Sequence, residues 1–181
     1  MKTRITGPTY LTFLRMILAV VFFVFALLPP PWAKITALVI FIIAAITDKI
    51  DGIWARRQKL VTDLGAFLDP LADKMLVNLA FLVLVYLYVV PIWVFAMILV
   101  RDFAVDGMRM MEARKQITVP ASFYGKLKTT VQMIALIILL FNLVVNVEFI
   151  AILGNIALYL ALALTIFSGM DYLIRGYKKL N

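Results

Sequence analysis

Six apolar runs partition this chain, at residues 11–28, 33–55, 67–90, 92–111, 122–145 and 149–174. Each is close to the roughly 20 residues that an α-helix needs to cross the hydrocarbon core of a bilayer. Nothing else in the sequence restricts the fold so strongly. In lipid, every backbone N–H and C=O must find its partner within the segment, so runs of this length are helices. The expected architecture is an all-α integral membrane protein with six transmembrane helices, folded as a single transmembrane domain over residues 1–181. A soluble globule is excluded on the same ground. With 65% of residues hydrophobic and 15% charged, there is more apolar surface than a core of this size can hide.

The breaks between the runs carry turn chemistry. Pro29, Pro30 and Pro31 end the first helix, because proline cannot continue the hydrogen-bonded ladder. Pro91 marks a short turn between the third and fourth runs, and Asn142, Asn146 and Glu148 mark the turn before the sixth. The first run ends in "LLPPPW", without a small-residue cleavage site, so it is expected to stay as a helix rather than be removed as a signal peptide. Gly169 and Ser168, in "SGMD", have the character of close-packing positions within the sixth helix.

The cations set the expected orientation. Lys2, Arg4 and Arg15 stand at the start, Arg56, Arg57 and Lys59 follow the second run, Arg114, Lys115, Lys126 and Lys128 follow the fourth, and Arg175, Lys178 and Lys179 close the chain. If six helices alternate, all of these lie on one side and only Lys34 lies on the other. An excess of Lys and Arg marks the cytoplasmic face, so both termini are expected there, in the inner (cytoplasmic) membrane.

The chain has no cysteine and no histidine, which removes disulfides, thiolate metal sites, Cys nucleophiles and every histidine mechanism. Any metal must be held by oxygen, and any general base must be Asp, Glu, Lys or Tyr. The net charge of +8 points to anionic lipid or phosphorylated partners. Nucleic acid is a poor fit, because the cations border apolar spans.

Between the second and third runs lies "DKIDGIWARRQKLVTDLGAFLDPLADK", residues 48–74. A carboxylate close to a bilayer is costly unless it is paired, hydrated or metal-bound. This segment has Asp48, Asp51, Asp69 and Asp73 at or near the ends of apolar runs. Spacings of three and four residues put each pair on one helix face, and the turn between lets the two helices pack antiparallel. Four carboxylates that converge need cations. Carboxylate oxygen without His or Cys selects hard ions, Mg²⁺ or Mn²⁺, and two such ions neutralise four charges. The plainer alternative pairs these acids with Lys49, Arg56, Arg57 and Lys74. That suffices for a single Asp near a helix end, as for Asp63, which is expected to cap the third helix. It accounts poorly for four acids together. Gly52, Ala55 and Gly65 leave room for a phosphate-bearing group to approach the backbone, and Arg56 can face it as a charged fork.

Asp48-x-x-Asp51-Gly52-x-x-Ala55-Arg56, eight residues, then Gly65-x-x-x-Asp69-x-x-x-Asp73 resembles the signature of the CDP-alcohol phosphotransferase family at all eight fixed positions. The resemblance implies a six-helix membrane enzyme, usually a homodimer. Asp48, Asp51 and Asp69 would bind a pair of divalent ions beside a CDP pyrophosphate. Asp73 would approach the second ion and act as general base. Gly52, Ala55, Arg56 and Gly65 would border the nucleotide, with Thr62 beside them. Further segments are similar to the branch that makes phosphatidylglycerophosphate: "PTYLTFLRM" at 8–16, with Thr9 and Thr12 at the CDP-lipid contact and Thr9 in place of the usual Asn; "RDFAVDGMRMMEARK", with Asp102 where Glu is common; and "GKLKTTVQM".

The signature fixes the reaction type: a CDP-linked lipid meets an alcohol, and CMP leaves. Arg101, Arg109, Lys126 and Lys128, on the cytoplasmic parts of the fourth and fifth helices, bear on which alcohol. Arg109 and Lys126 would make a cationic pocket if those helices meet beside the metal site, and such a pocket suits an acceptor that carries phosphate. CDP-diacylglycerol and glycerol 3-phosphate are the expected substrates, with inositol phosphate the nearest alternative acceptor. Lys115, Lys178 and Lys179 are expected to touch lipid headgroups. A divalent-cation transporter would use four aspartates too, but its site belongs near the membrane midplane, between broken helices.

Overall fold

The computed structural model describes the backbone of residues 7–58, 63–115 and 123–180, and the side chains of these apart from positions 7–9, 48–58, 63–67, 69–70, 73, 113 and 180. Six helices follow one another: α1 (Gly7–Leu27), α2 (Pro31–Gln58), α3 (Asp63–Tyr86), α4 (Ile92–Arg114), α5 (Phe123–Val145) and α6 (Glu148–Leu180). There is no strand among the described residues. Large apolar side chains face outward along the helices, as Ile17, Val24, Ile35, Ile43, Ile156 and Phe167 do. That inverts the pattern of a soluble protein and belongs to a chain whose solvent is lipid. Among the described residues, α1, α5 and α6 are long and apolar enough to cross a membrane unaided, while α2 and α3 contribute shorter apolar stretches at Pro31–Thr47 and Lys74–Tyr86. The protein is thus an all-α membrane protein, with six helices among the described residues.

The turns follow the expected chemistry, with one difference. α1 stops at Leu27, before the prolines, but Pro31 opens α2 instead of closing α1. The first helical position is where a missing N–H removes no hydrogen bond and a fixed φ is already helical. At the end of α5, Asn146 adopts φ 51° and donates its N–H to Asn142 O at 2.9 Å, while the Asn142 side chain accepts from Val147 N at 3.0 Å. Both asparagines therefore build the stop that their identities suggested. α3 ends four residues earlier than the apolar run, because Tyr88 takes φ 58°. Its N–H bonds Val85 O at 3.0 Å and the next N–H bonds Leu84 O at 2.9 Å, a Schellman closure built on a residue other than glycine.

The chain falls into two compact units, the first taking residues up to Val83 with Leu143–Val145, the second Leu84–Asn142 and Asn146 onward. In the first, α1 packs along α2. Their buried faces are mostly small, with Ala19, Ala26, Ala33, Ala37 and Ala44, so the backbones approach closely. Phe22 and Phe41 fill the space between, ring centroids 5.3 Å apart. Thr12 and Arg15 continue the buried face of α1. In the second unit α4 packs on α6. Gly154 of α6 meets Leu139 of α5 so closely that an added Cβ would stand 2.5 Å from Leu139 Cδ2. Gly169 has the same role against α4, where a Cβ would stand 2.7 Å from Arg101 Cγ.

Candidate functional site

The aspartates lie on two helices. Asp48 and Asp51 belong to the second half of α2, and Asp69 and Asp73 to the first half of α3. Their side chains, and those of Thr9, Gly52, Ala55, Arg56, Asp63 and Gly65, lie outside the described residues, as does the whole of Thr62. Thr12 is described and is buried on α1.

The four cations expected to meet an acceptor fall into distinct settings. Arg101 sits about 14 Å along α4 from its first residue, at 1.5 Å rise per residue, where an uncompensated charge would be costly. It is held at three points. Nε donates to Thr165 O at 3.1 Å, Nη2 to Ser168 Oγ at 2.8 Å and Nη1 to Asp102 Oδ1 at 2.9 Å. The room for its stem is the missing side chain at Gly169. Lys128 of α5 is buried, and its ammonium spans both oxygens of Asp102, at 2.9 and 3.0 Å. Asp102 thus gathers two cations across α4 and α5. The shorter Asp, where the resemblance leads one to expect Glu, still reaches both.

Arg109 and Lys126 are different. Both are exposed, on α4 and α5. Among the described residues no ion pair engages either. The Arg109 guanidinium lies over the ring of Tyr172 on α6, 5.4 Å from its centroid. The Tyr172 hydroxyl donates to Glu112 Oε2 at 2.6 Å, and Tyr172 and Glu112 are both buried. Sequence reasoning passed over this pair. Its one signal was an acid, Glu112, one helical turn after Arg109. The partner stands 60 residues away on α6, beyond the reach of any local pattern.

Beyond Tyr172, α6 continues as a charged helix. Asp171 pairs with Arg175 one turn on, and Lys178 and Lys179 follow. With 33 residues, α6 is about 50 Å long against a hydrocarbon core of about 30 Å, so this end emerges from the apolar layer.

Comparison with known proteins bears on the whole chain. A curated relative from Bacillus subtilis (strain 168), named CDP-diacylglycerol–glycerol-3-phosphate 3-phosphatidyltransferase, is 36% identical over 190 aligned positions that cover 96% of each chain. Relatives of the same name from Pectobacterium atrosepticum and Yersinia enterocolitica are 44% and 41% identical, covering 92% and 96% of each chain. The sequence model of the CDP-alcohol phosphatidyltransferase family matches residues 5–167, a span that includes all eight signature positions and all four cations. The chain therefore belongs to the CDP-alcohol phosphatidyltransferase family, a family of membrane enzymes that generally use divalent metal ions.

Proposed function

We propose that the chain transfers a phosphatidyl group from CDP-diacylglycerol to the primary hydroxyl of glycerol 3-phosphate, giving phosphatidylglycerophosphate and CMP. One observation carries this reading. The complete signature from Asp48 to Asp73 stands in a chain that matches relatives bearing that activity's name nearly end to end. Family membership leaves the transporter alternative without support.

The residues fit a pair of divalent cations, Mg²⁺ or Mn²⁺. The donor set is carboxylate oxygen alone, and α2 and α3 present the acids at helical spacings of three and four. Asp48, Asp51, Asp69 and Asp73 would hold the ions. When bound, they offset charge on the pyrophosphate and on the departing CMP. The chain's own groups do the rest. Arg56 faces the nucleotide phosphates, and Thr9, Thr12, Gly52, Ala55, Thr62 and Gly65 border the CDP-lipid. Asp73 takes the proton from the acceptor hydroxyl. The freed oxygen bonds to the phosphorus that carries diacylglycerol, and the bond from that phosphorus to CMP breaks. No covalent enzyme intermediate is required.

Acceptor recognition falls to Arg109 and Lys126. Their exposure and the absence of an ion pair support this, because a phosphate needs donors that no carboxylate has already engaged. Arg101 and Lys128 are both engaged by Asp102 and stand behind this pair. The Lys and Arg distribution supports cytoplasmic termini and a cytoplasmic active site in the inner membrane. A homodimer belongs to the same reading, on the family resemblance.

The test is CMP release by purified protein in lipid nanodiscs. CDP-diacylglycerol is supplied with glycerol 3-phosphate, inositol phosphate or serine. Glycerol 3-phosphate should be used with the highest kcat/KM. Equal use of serine would remove the phosphate pocket, and preference for inositol phosphate would reassign the acceptor.

A further inference from the structure

Glu112 is costly where it stands. It lies near the end of α4 with 3% of its surface exposed, and a carboxylate buried in this way needs a partner. The Tyr172 hydroxyl supplies one, at 2.6 Å from Oε2. The other oxygen, Oε1, has no hydrogen-bond partner among the described residues. A Cβ on Gly176 would stand 2.7 Å from that oxygen, so α6 leaves room for the carboxylate by having no side chain there. A buried acid held in this way asks for a reason beyond helix packing.

Arg109 offers one. It precedes Glu112 by three residues on the same face of α4, a spacing at which Arg and Glu ordinarily close an ion pair. No ion pair joins them among the described residues. Tyr172 engages both instead. Its hydroxyl occupies the carboxylate and its ring lies under the guanidinium. The ring and hydroxyl of one tyrosine can engage only part of a guanidinium with five N–H donors, so Arg109 is oriented while donors and charge remain for an anion. The arrangement differs in kind from Arg101, whose donors are divided among Thr165, Ser168 and Asp102, and from Lys128, whose ammonium is held by Asp102.

We infer that Tyr172 and Glu112 are positioning residues for acceptor recognition: the Glu112 carboxylate fixes the Tyr172 phenol, the ring fixes Arg109, and Arg109 meets the acceptor's phosphate. This rests on the reading of Arg109 given under the proposed function. A long cationic side chain ordered before binding loses less freedom on binding, which is worth about three- to tenfold in acceptor affinity.

A double-mutant cycle on the full chain in nanodiscs tests it. Tyr172→Leu should raise the KM for glycerol 3-phosphate about three- to tenfold, with kcat and the KM for CDP-diacylglycerol unchanged. In an Arg109→Ala background, the same substitution should add nothing. Tyr172→Phe keeps the ring and loses the tie to Glu112, so it should give a smaller rise in the same direction and carries the test if the leucine variant does not fold. Glu112→Gln can still accept from the phenol, and should keep a lower acceptor KM than Glu112→Ala. Additive effects of Tyr172 and Arg109 would overturn the inference and leave Tyr172 a packing residue. So would Tyr172 variants that melt earlier but bind the acceptor normally. If Arg109→Ala raises the acceptor KM and neither Tyr172 variant does, only the positioning role falls. If Arg109→Ala itself binds the acceptor normally, the acceptor reading of Arg109 falls, and the positioning role with it.

Discussion

Two of the arginines of α4, Arg101 and Arg109, stand eight residues apart, and the protein treats them in opposite ways. Arg101 is clamped by Thr165, Ser168 and Asp102, and the same Asp102 holds the buried Lys128. Arg109 is exposed and rests on the ring of Tyr172. Residue type does not separate them. Depth along the helix does. A charge about 14 Å into an apolar helix must be fully compensated, and compensation commits its donors. A charge closer to the membrane surface can stay hydrated and be held by a neutral group, which leaves it available to a ligand. The deep cluster is read as architecture and the shallow one as recognition.

Breaking the deep cluster should have the largest effect on stability. Asp102→Ala leaves the buried Lys128 and the half-buried Arg101 without their shared carboxylate, at a cost of about 3–5 kcal/mol. The variant should yield little folded protein in detergent, or melt far below wild type. A variant with normal melting would show that Asp102 is not what compensates Arg101 and Lys128.

The shallow arginine should show the reverse. Arg109→Ala and Lys126→Ala should melt as wild type but raise the KM for glycerol 3-phosphate about ten- to a hundredfold, the loss of a charge-assisted hydrogen bond to phosphate. The KM for CDP-diacylglycerol should change far less. Lys178→Ala, at the headgroup end of α6, should leave both constants unaltered. Unaltered acceptor kinetics in Arg109→Ala and Lys126→Ala would erase the distinction between the clusters.

Gly169→Ala sharpens the same comparison at smaller scale. The added methyl would meet Arg101 Cγ at 2.7 Å and Nε at 2.9 Å, and the arginine cannot retreat because its head is fixed. Overpacking of this kind costs about 1–3 kcal/mol. A fall in melting temperature with an unchanged acceptor KM is expected. The smallest effect belongs to neither cluster. Tyr88→Gly relieves a left-handed backbone at an exposed position, and should stabilise by about 1 kcal/mol, seen as a modest rise in melting temperature.

The sequence exposes these features unequally. The helices were legible because apolar length and turn residues are local. Asn142 and Asn146 announced the α5–α6 turn, and Gly169 in "SGMD" announced a close approach. The end of α3 was not legible, since Tyr88 has none of the conformational freedom that makes Gly or Asn recognisable at a helix stop. The cations show the limit most clearly. Arg101, Arg109, Lys126 and Lys128 are all expected near an acceptor, with Arg109 and Lys126 as the pocket, but a sequence shows charge without its partners. Asp102 is adjacent to Arg101, but its hold on Lys128 arises only when α4 and α5 come together. Tyr172 is separated from Arg109 by the whole of α5 and most of α6. The aspartates posed the opposite problem: their pattern from Asp48 to Asp73 was specific enough to identify the family before any contact was known.

The central claim is transfer from CDP-diacylglycerol with Asp73 as the base. The most direct measurement is the initial rate of CMP release with glycerol 3-phosphate for wild type, Asp73→Asn and Asp63→Asn, each with and without a divalent-cation chelator. Asparagine keeps the shape of Asp73 but cannot take up the proton, so the rate should fall by about two orders of magnitude or more. Asp63→Asn, at a position with no assigned chemistry, should retain most of its rate, and chelation should silence every active form. Wild-type turnover by Asp73→Asn, or CMP release that survives chelation, would contradict the account.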